Sequence, residues 1–167
     1  GDHPGLPKHE DAIGKPLSPY AATKRIGELY ARVFQDCYGV DLCGLRYFNV
    51  FGRRQDPDGP YAAVIPRWID NLLHQRPCVI FGDGGQTRCF CHVADTIRAL
   101  HGLMETGTSG EIYNVGSTEQ IAIIDLARRV VEATGSSSST TFVPFEEAYG
   151  HGIEDMLHRM PSTEKIA

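Results

Sequence analysis

With 167 residues, 41% of them hydrophobic and 22% charged, the chain is long enough to bury a core and is composed like a globular protein. Its formal net charge of -5 and pI of about 5.8 argue against a nucleic-acid partner, which usually meets a basic surface. No apolar run of about 18 residues points to a membrane span, and no charged start followed by an apolar stretch reads as a signal peptide. Five cysteines, an odd count without scaffold spacing, fit a reducing compartment, so a cytoplasmic location is expected. Gly1-Asp2-His3-Pro4 reads as mid-loop material and Glu164 to Ala167 as the start of a helix, so a fragment of a longer protein is expected.

Residues 1–18, rich in Pro and Gly, predict a loop. Ser18 as N-cap and Pro19 at the first helical position open a helix whose apolar positions Ile26, Leu29, Tyr30, Val33, Phe34 and Cys37 recur at helical spacing until Gly39. Leu42 to Tyr47 reads as a buried strand and Asn49 to Pro60 as a loop. Ala62 to His74 predicts a helix with an irregularity at Pro66. Val79 to Phe81 is a strand running into the turn Gly82-Asp83-Gly84-Gly85, and Cys89 to His92 is extended. Helices over Val93–Glu105 and Ile123–Thr134, the second closed by Gly135, flank a strand at Glu111–Val115. A low-complexity connection at Ser136–Ser139 leads to a strand at Thr140–Val143, and the remainder reads as irregular. This alternation predicts an α/β fold. No G-x-G-x-x-G occurs, so the chain carries no dinucleotide fingerprint of its own.

Tyr20 and Lys24 form Y-x-x-x-K in the first turns of the first predicted helix. Four residues apart, both side chains share one helical face. A free Tyr titrates near 10, and a fixed cation beside it favours the phenolate, which makes Tyr20 a candidate general base. Arg88, after the Gly-rich turn, has a guanidinium fork suited to phosphate oxygens. Cys89-Phe90-Cys91-His92 has superficial metal spacing. On a strand, however, Cys89 and Cys91 share a face that His92 does not, and nothing completes four ligands, so no metal is expected. Cys37, Cys43 and Cys78 read as small core residues.

The context of these residues is more specific than their spacing. The strings GDHPGLPK, IGKPLSPYA and GLRYFNVFGRRQDPDGPYAAVIPRW resemble the extended short-chain dehydrogenase/reductase family, within it the NAD-dependent nucleotide-sugar epimerases and dehydratases. From Gly1 to Trp68 they are most similar to bacterial UDP-N-acetylglucosamine 4-epimerases, and the resemblance continues to about Lys165. It implies the tail of a Rossmann-type parallel sheet plus a small α/β substrate-binding domain, truncated at the N-terminal side. Residues 1–61 would end the Rossmann-like domain, and 62–167 would be mainly the nucleotide-sugar domain. It implies NAD as cofactor, with Tyr20 as base toward the sugar 4-hydroxyl and Lys24 lowering the Tyr20 pKa and meeting the nicotinamide ribose. Tyr47, Phe48 and Val50 would lie near the nicotinamide.

On the substrate side it implies Asn49 at the diphosphate and Ala63, Val64, Arg67 and Trp68 lining the nucleotide. Val79, Ile80 and Phe81 would flank the uracil of a UDP-sugar. Arg88 would clamp the diphosphate with help from Arg159. A homodimer through the Tyr20 helix is implied for the intact enzyme. Epimerisation through a transient 4-keto sugar is the favoured activity, with decarboxylase, dehydratase and a non-catalytic nucleotide-sugar-binding fragment as alternatives. The tail from Tyr149 to Met156 looks more like other branches than like the N-acetylglucosamine epimerases. The isolated chain is expected to be inactive, because the family's glycine-rich loop and catalytic Ser/Thr lie upstream of Gly1. Cys89 stands where the family carries an Asp that could orient the clamp Arg, and Met160-Pro161-Ser162 stands where the family reads P-D.

Overall fold

The computed structural model describes residues 3–58, 63–149 and 156–167. The end of the 49–60 loop, the expected helix start at Ala62 with its domain boundary, and residues 150–155 of the tail lie outside the described residues. Helix α1 (Pro19–Tyr38) opens as its residues predict: Ser18 is extended, and its Oγ accepts the Ala21 N–H at 3.1 Å. Gly39 closes it at φ 64°, a left-handed conformation that a Cβ would disfavour. The apolar stripe of α1 is not core, however. No residue of the helix is buried, and Ile26, Leu29, Tyr30, Val33 and Phe34 all remain exposed. Cys37 is likewise exposed and Cys43 half-buried, which corrects the expectation that they fill the core; Cys78 does. Helical spacing reports which side chains share a face, not what covers that face.

The expected strand at 42–47 contracts to β1 (Gly44–Tyr47), and the stretch expected as loop contains β2 (Val50–Phe51). Helix α2 (Val64–Leu73) carries Pro66 as its third residue, in the turn whose N–H groups have no helical acceptor, so the proline causes no break. Strand β3 (Cys78–Phe81) follows. The single extended stretch expected at 89–92 is two strands, β4 (Thr87–Cys89) and β5 (Cys91–His92), belonging to different sheets. Then come α3 (Val93–Thr106), β6 (Ile112–Val115), β7 (Gln120–Ala122), α4 (Ile123–Thr134) and β8 (Thr140–Val143). The stretch expected to be irregular holds α5 (Phe145–Tyr149) and β9 (His158–Arg159).

Among the described residues three two-stranded sheets are parallel: β1 with β6, β2 with β5 and β3 with β8. In a fourth sheet β4 runs antiparallel to β7 and parallel to β9. Parallel neighbours need a crossover, so each pair joins distant chain segments; Gly44 faces Ile112, and Cys78 faces Thr140. The main core lies between α2, β3 and α4, where Ile65, Trp68 and Leu72 meet Cys78, Ile80, Ile123, Leu126, Ala127 and Val130. Their spacing on α2 and α4 is that of a single apolar helix face. No helix among the described residues is long and apolar enough to cross a membrane.

Polar contacts rather than apolar burial hold α1 to β1. Arg46 donates through Nε and Nη2 to the two carboxylate oxygens of Glu28, at 2.7 and 3.0 Å, and through Nη1 to the Glu10 carbonyl at 2.8 Å. Arg25 adds a bond to Glu28 at 2.9 Å. The buried Glu10 carboxylate accepts the backbone N–H of buried Asn114 in β6. The Asn114 side-chain amide donates to the carbonyls of Lys8 and Ser162. Burial alone would raise the Glu28 pKa, but hydrogen bonds and charge from Arg46 and Arg25 outweigh it and hold the carboxyl below its ordinary range.

Glu28→Gln should therefore destabilise the protein by about 2 kcal/mol at neutral pH, the scale of a hydrogen bond to a charged group. Because the folded-state pKa is lowered, this contribution is complete above the unfolded carboxyl value of about 4.3 and disappears as pH falls through the lower folded value. Urea titrations of both proteins at successively lower pH should show the gap closing. A gap that stays constant rejects the ion pair as its source.

Candidate functional site

Tyr20 is the second residue of α1, in the turn whose free N–H groups favour negative charge. Lys24 follows one turn later and places Nζ 5.2 Å from the Tyr20 ring centroid, so the spacing does bring the pair together. Both side chains are exposed, Tyr20 at 64%. Tyr47, ending β1, is 46% exposed, whereas Phe48 is buried. The Tyr20 phenol, the Lys24 ammonium and Tyr47 at the end of β1 are thus accessible to a ligand.

Beyond β1 the chain enters a cavity of about 310 Å³, within the size range of small-molecule sites. Asn49 and Val50 line it from one side, Ala63, Val64, Arg67 and Trp68 from the start of α2, and Val79, Ile80 and Phe81 from β3. Arg88 of β4 completes the set anticipated for the substrate, Arg159 excepted. Tyr20, Lys24, Tyr47 and Phe48 are not in this wall. Arg159 stands apart, with its guanidinium carbon 5.0 Å from the Phe48 ring centroid. Six lining residues were not anticipated: Phe51, Ile65, Gln86, Phe90, Ile123 and Phe145. Gln86 had a local signal, two positions before Arg88 in the same turn. Ile65 sits on α2 beside the anticipated Val64, whereas Phe51 of β2, Phe90 between β4 and β5, Ile123 of α4 and Phe145 of α5 face the cavity because remote segments are brought alongside, which no local pattern reports.

The geometry refines several anticipated roles. Trp68 is buried and its indole N–H donates to the Val79 carbonyl at 2.9 Å, so it contributes shape rather than a donor. Asn49 adopts a left-handed φ of 43° and donates through Nδ2 to the Cys89 carbonyl at 2.8 Å. Its amide retains a second N–H and a carbonyl oxygen. Arg88 Nη1 donates to the carbonyls of Thr87 at 2.8 Å and Leu157 at 3.2 Å, so backbone oxygens orient the guanidinium, the role that the resemblance allowed to an Asp in place of Cys89. Cys89 is fully buried, and burial first, then the Glu119 charge, pushes its thiol up, keeping it neutral.

The glycine turn before Arg88 also has a packing reason. Gly84 has φ 78°, and a Cβ on it would lie 3.0 Å from the Ile124 Cβ, so the turn seats against the start of α4. His92 acts locally, its Nδ1 accepting the Ala94 N–H at 3.3 Å and so capping α3. Among the described residues no group of three or more His, Cys, Asp or Glu could hold a metal ion.

Residues 1–116 match the NAD dependent epimerase/dehydratase family, and the chain belongs to it. It is 40% identical over 156 residues to a UDP-N-acetyl-alpha-D-glucosaminuronate decarboxylase of Bacillus cytotoxicus, covering 88% of this chain and 48% of the relative. Its fold superposes with a TM-score of 0.89 and 34% identity on a UDP-N-acetylglucosamine 4-epimerase from Methanobrevibacter ruminantium, solved with UDP-N-acetylmuramic acid. That match covers 99% of this chain and 51% of the other. A UDP-glucose 4-epimerase of Thermotoga maritima, solved with UDP-glucose, gives a TM-score of 0.87 at 32% identity, over 96% and 50% of the two chains. The chain thus spans about half the length of the relatives it matches.

The burial of Cys89 predicts the outcome of installing the family's carboxylate there. Cys89→Asp should destabilise the fold by about 3 kcal/mol or more, the cost of a buried charge without a partner. Thermal unfolding measures this. A variant as stable as the wild type would mean that the introduced carboxylate finds a donor the present packing does not offer.

Proposed function

We propose that the protein is a nucleotide-sugar 4-epimerase that takes a UDP-sugar and works through a transient 4-keto intermediate, with this chain supplying the catalytic pair and the nucleotide-sugar site. The observation that carries the reading is continuity. The helix bearing Tyr20 and Lys24 is bonded to β1 through Glu28 and Arg46, and β1 leads directly into Asn49 and Val50 at the cavity wall. Residues 1–61 then serve as the end of the dinucleotide domain and 62–167 as the substrate domain.

NAD, when bound, supplies the hydride acceptor and donor; Tyr20, Lys24, Tyr47, Phe48 and Val50 are the residues of this chain that would meet it. Tyr20 takes the proton of the sugar 4-hydroxyl as C4 is oxidised to a ketone and returns it when the ketone is reduced on its other face. The Lys24 ammonium, held at the Tyr20 ring, offsets the negative charge on the phenol oxygen. Ala63, Val64 and Arg67, with Trp68 behind them, shape the nucleotide side, and Val79 to Phe81 flank the base. Arg88 grips the diphosphate together with Asn49, and Arg159 adds charge from the edge. A homodimer built on the exposed stripe of α1 accompanies this reading.

Decarboxylation is the second reading, favoured by the 40% identity to the glucosaminuronate decarboxylase. Both reactions begin with the same oxidation at C4, so the products separate them: inversion at C4 with all carbons kept, or loss of the C6 carboxylate as carbon dioxide. In the full-length protein Tyr20→Phe should lower turnover by about 10²–10⁴-fold, with substrate binding retained. Near-normal turnover in that variant removes Tyr20 from the mechanism. Arg88→Ala should weaken UDP binding by about 1.5–3 kcal/mol in calorimetric titrations of this chain. Unchanged affinity would make Arg88 a structural residue of β4 and leave the chain without its clamp.

A further inference from the structure

Glu28 lies one helical turn beyond Lys24, at the i, i+4 spacing at which opposite charges on a helix meet. Yet among the described residues Lys24 makes no ion pair, and its ammonium stands at the Tyr20 ring. The reason is visible at Glu28. Its Oε1 accepts from Arg46 Nε, and its Oε2 accepts from both Arg46 Nη2 and Arg25 Nη1. Two guanidinium groups therefore saturate the carboxylate, one of them in the two-pronged geometry that binds carboxylates most firmly. Arg46 is itself fixed by the Glu10 carbonyl, so it cannot easily leave.

We propose that Arg46, assisted by Arg25, is a positioning residue for the catalytic pair: by saturating Glu28 it keeps the Lys24 ammonium at Tyr20. Without Arg46, Glu28 would be a carboxylate only 19% exposed and short of partners, a costly arrangement that a neighbouring cation relieves. Lys24 is such a cation, on a long flexible stem and one turn away. Drawn to Glu28, it would leave Tyr20. The inference rests on the reading of Tyr20 and Lys24 as the catalytic pair only for its functional meaning, since the competition for Lys24 exists whether or not the chain turns over.

This competition separates positioning from mere bracing, because it predicts that a second substitution repairs the first. The readout is the ring-current shift of the Lys24 side-chain methylenes in lysine-labelled protein, with Tyr20→Leu giving the value without the ring. In Arg46→Gln the shift should collapse toward the Tyr20→Leu value. In the double variant Glu28→Gln/Arg46→Gln, which has no carboxylate to attract Lys24, it should return to that of the wild type, and Glu28→Gln alone should retain it. An unchanged shift in Arg46→Gln, or a double variant as collapsed as the single one, overturns the proposal and leaves Arg46 a brace between α1 and β1. Arg25 is 42% exposed, so Arg25→Gln keeps the fold while removing one of the three bonds. It should move the shift in the same direction, and if Arg46→Gln does not fold, this variant decides. Turnover is not needed for the measurement: near-normal turnover of Tyr20→Phe in the full-length protein would sink the catalytic reading and leave the positioning of Lys24 standing.

Discussion

The pairing of Glu28 with Arg46 is the contact on which the relation between the two parts of the site depends. Helix α1 buries no residue, so hydrophobic burial does little to fix its height or rotation over β1. A two-pronged guanidinium–carboxylate contact supplies what packing does not, because it is directional at both partners. The side chains are about one-fifth exposed, sheltered enough for the pair to escape the screening that weakens surface ion pairs. Through the Arg46 bond to the Glu10 carbonyl, the same contact reaches the loop ahead of the helix.

From Glu10 the polar chain continues to Asn114 and on to Lys8 and Ser162, tying the loop ahead of α1 and the carboxyl-terminal segment to β6. Glu10, Asn114 and Ser162 are buried and hydrogen-bonded to one another or to Lys8, which is when a polar network specifies one arrangement rather than weakening the interior. Arg159 lies just before the segment that Asn114 holds, and its guanidinium rests at the Phe48 ring. Helix α1, β1, β6, the loop ahead of α1 and the carboxyl-terminal segment are therefore tied by one connected set of hydrogen bonds. The apolar core between α2, β3 and α4 stands beside that set and gives the cavity its rigid wall.

Membership of the NAD dependent epimerase/dehydratase family fixes a class of chemistry and not a single reaction. Relatives at comparable identity are named as epimerases and as a decarboxylase. In the proposed reading both outcomes open with oxidation at C4 and diverge in what the site permits the ketone to do next. With buried Cys89 where the resemblance implied an Asp, Arg88 still lines the cavity. Arg88 is held by the carbonyls of Thr87 and Leu157, which a side-chain substitution leaves in place.

Where the physics is local, the amino-acid sequence by itself determined the answer. Ser18 and Pro19 start α1 and Gly39 ends it, the Tyr20–Lys24 spacing brings those side chains together, and strongly periodic segments such as 123–134 form the helices they suggest. The strings around Tyr20 and from Gly44 to Trp68 also carried the family. What covers each face was not legible: the stripe on α1 has the spacing of a core face and is exposed, and Cys37 goes with it. Two-residue strands such as β2 and β9 have no periodicity to detect and exist only because a distant partner offers its hydrogen bonds. Arg46 and Glu28 are ordinary letters eighteen positions apart until β1 passes beneath α1. Capping and spacing act over a few residues of one chain segment, whereas burial, strand pairing and charge saturation depend on which remote segments the fold brings together, and only the tertiary structure decided those.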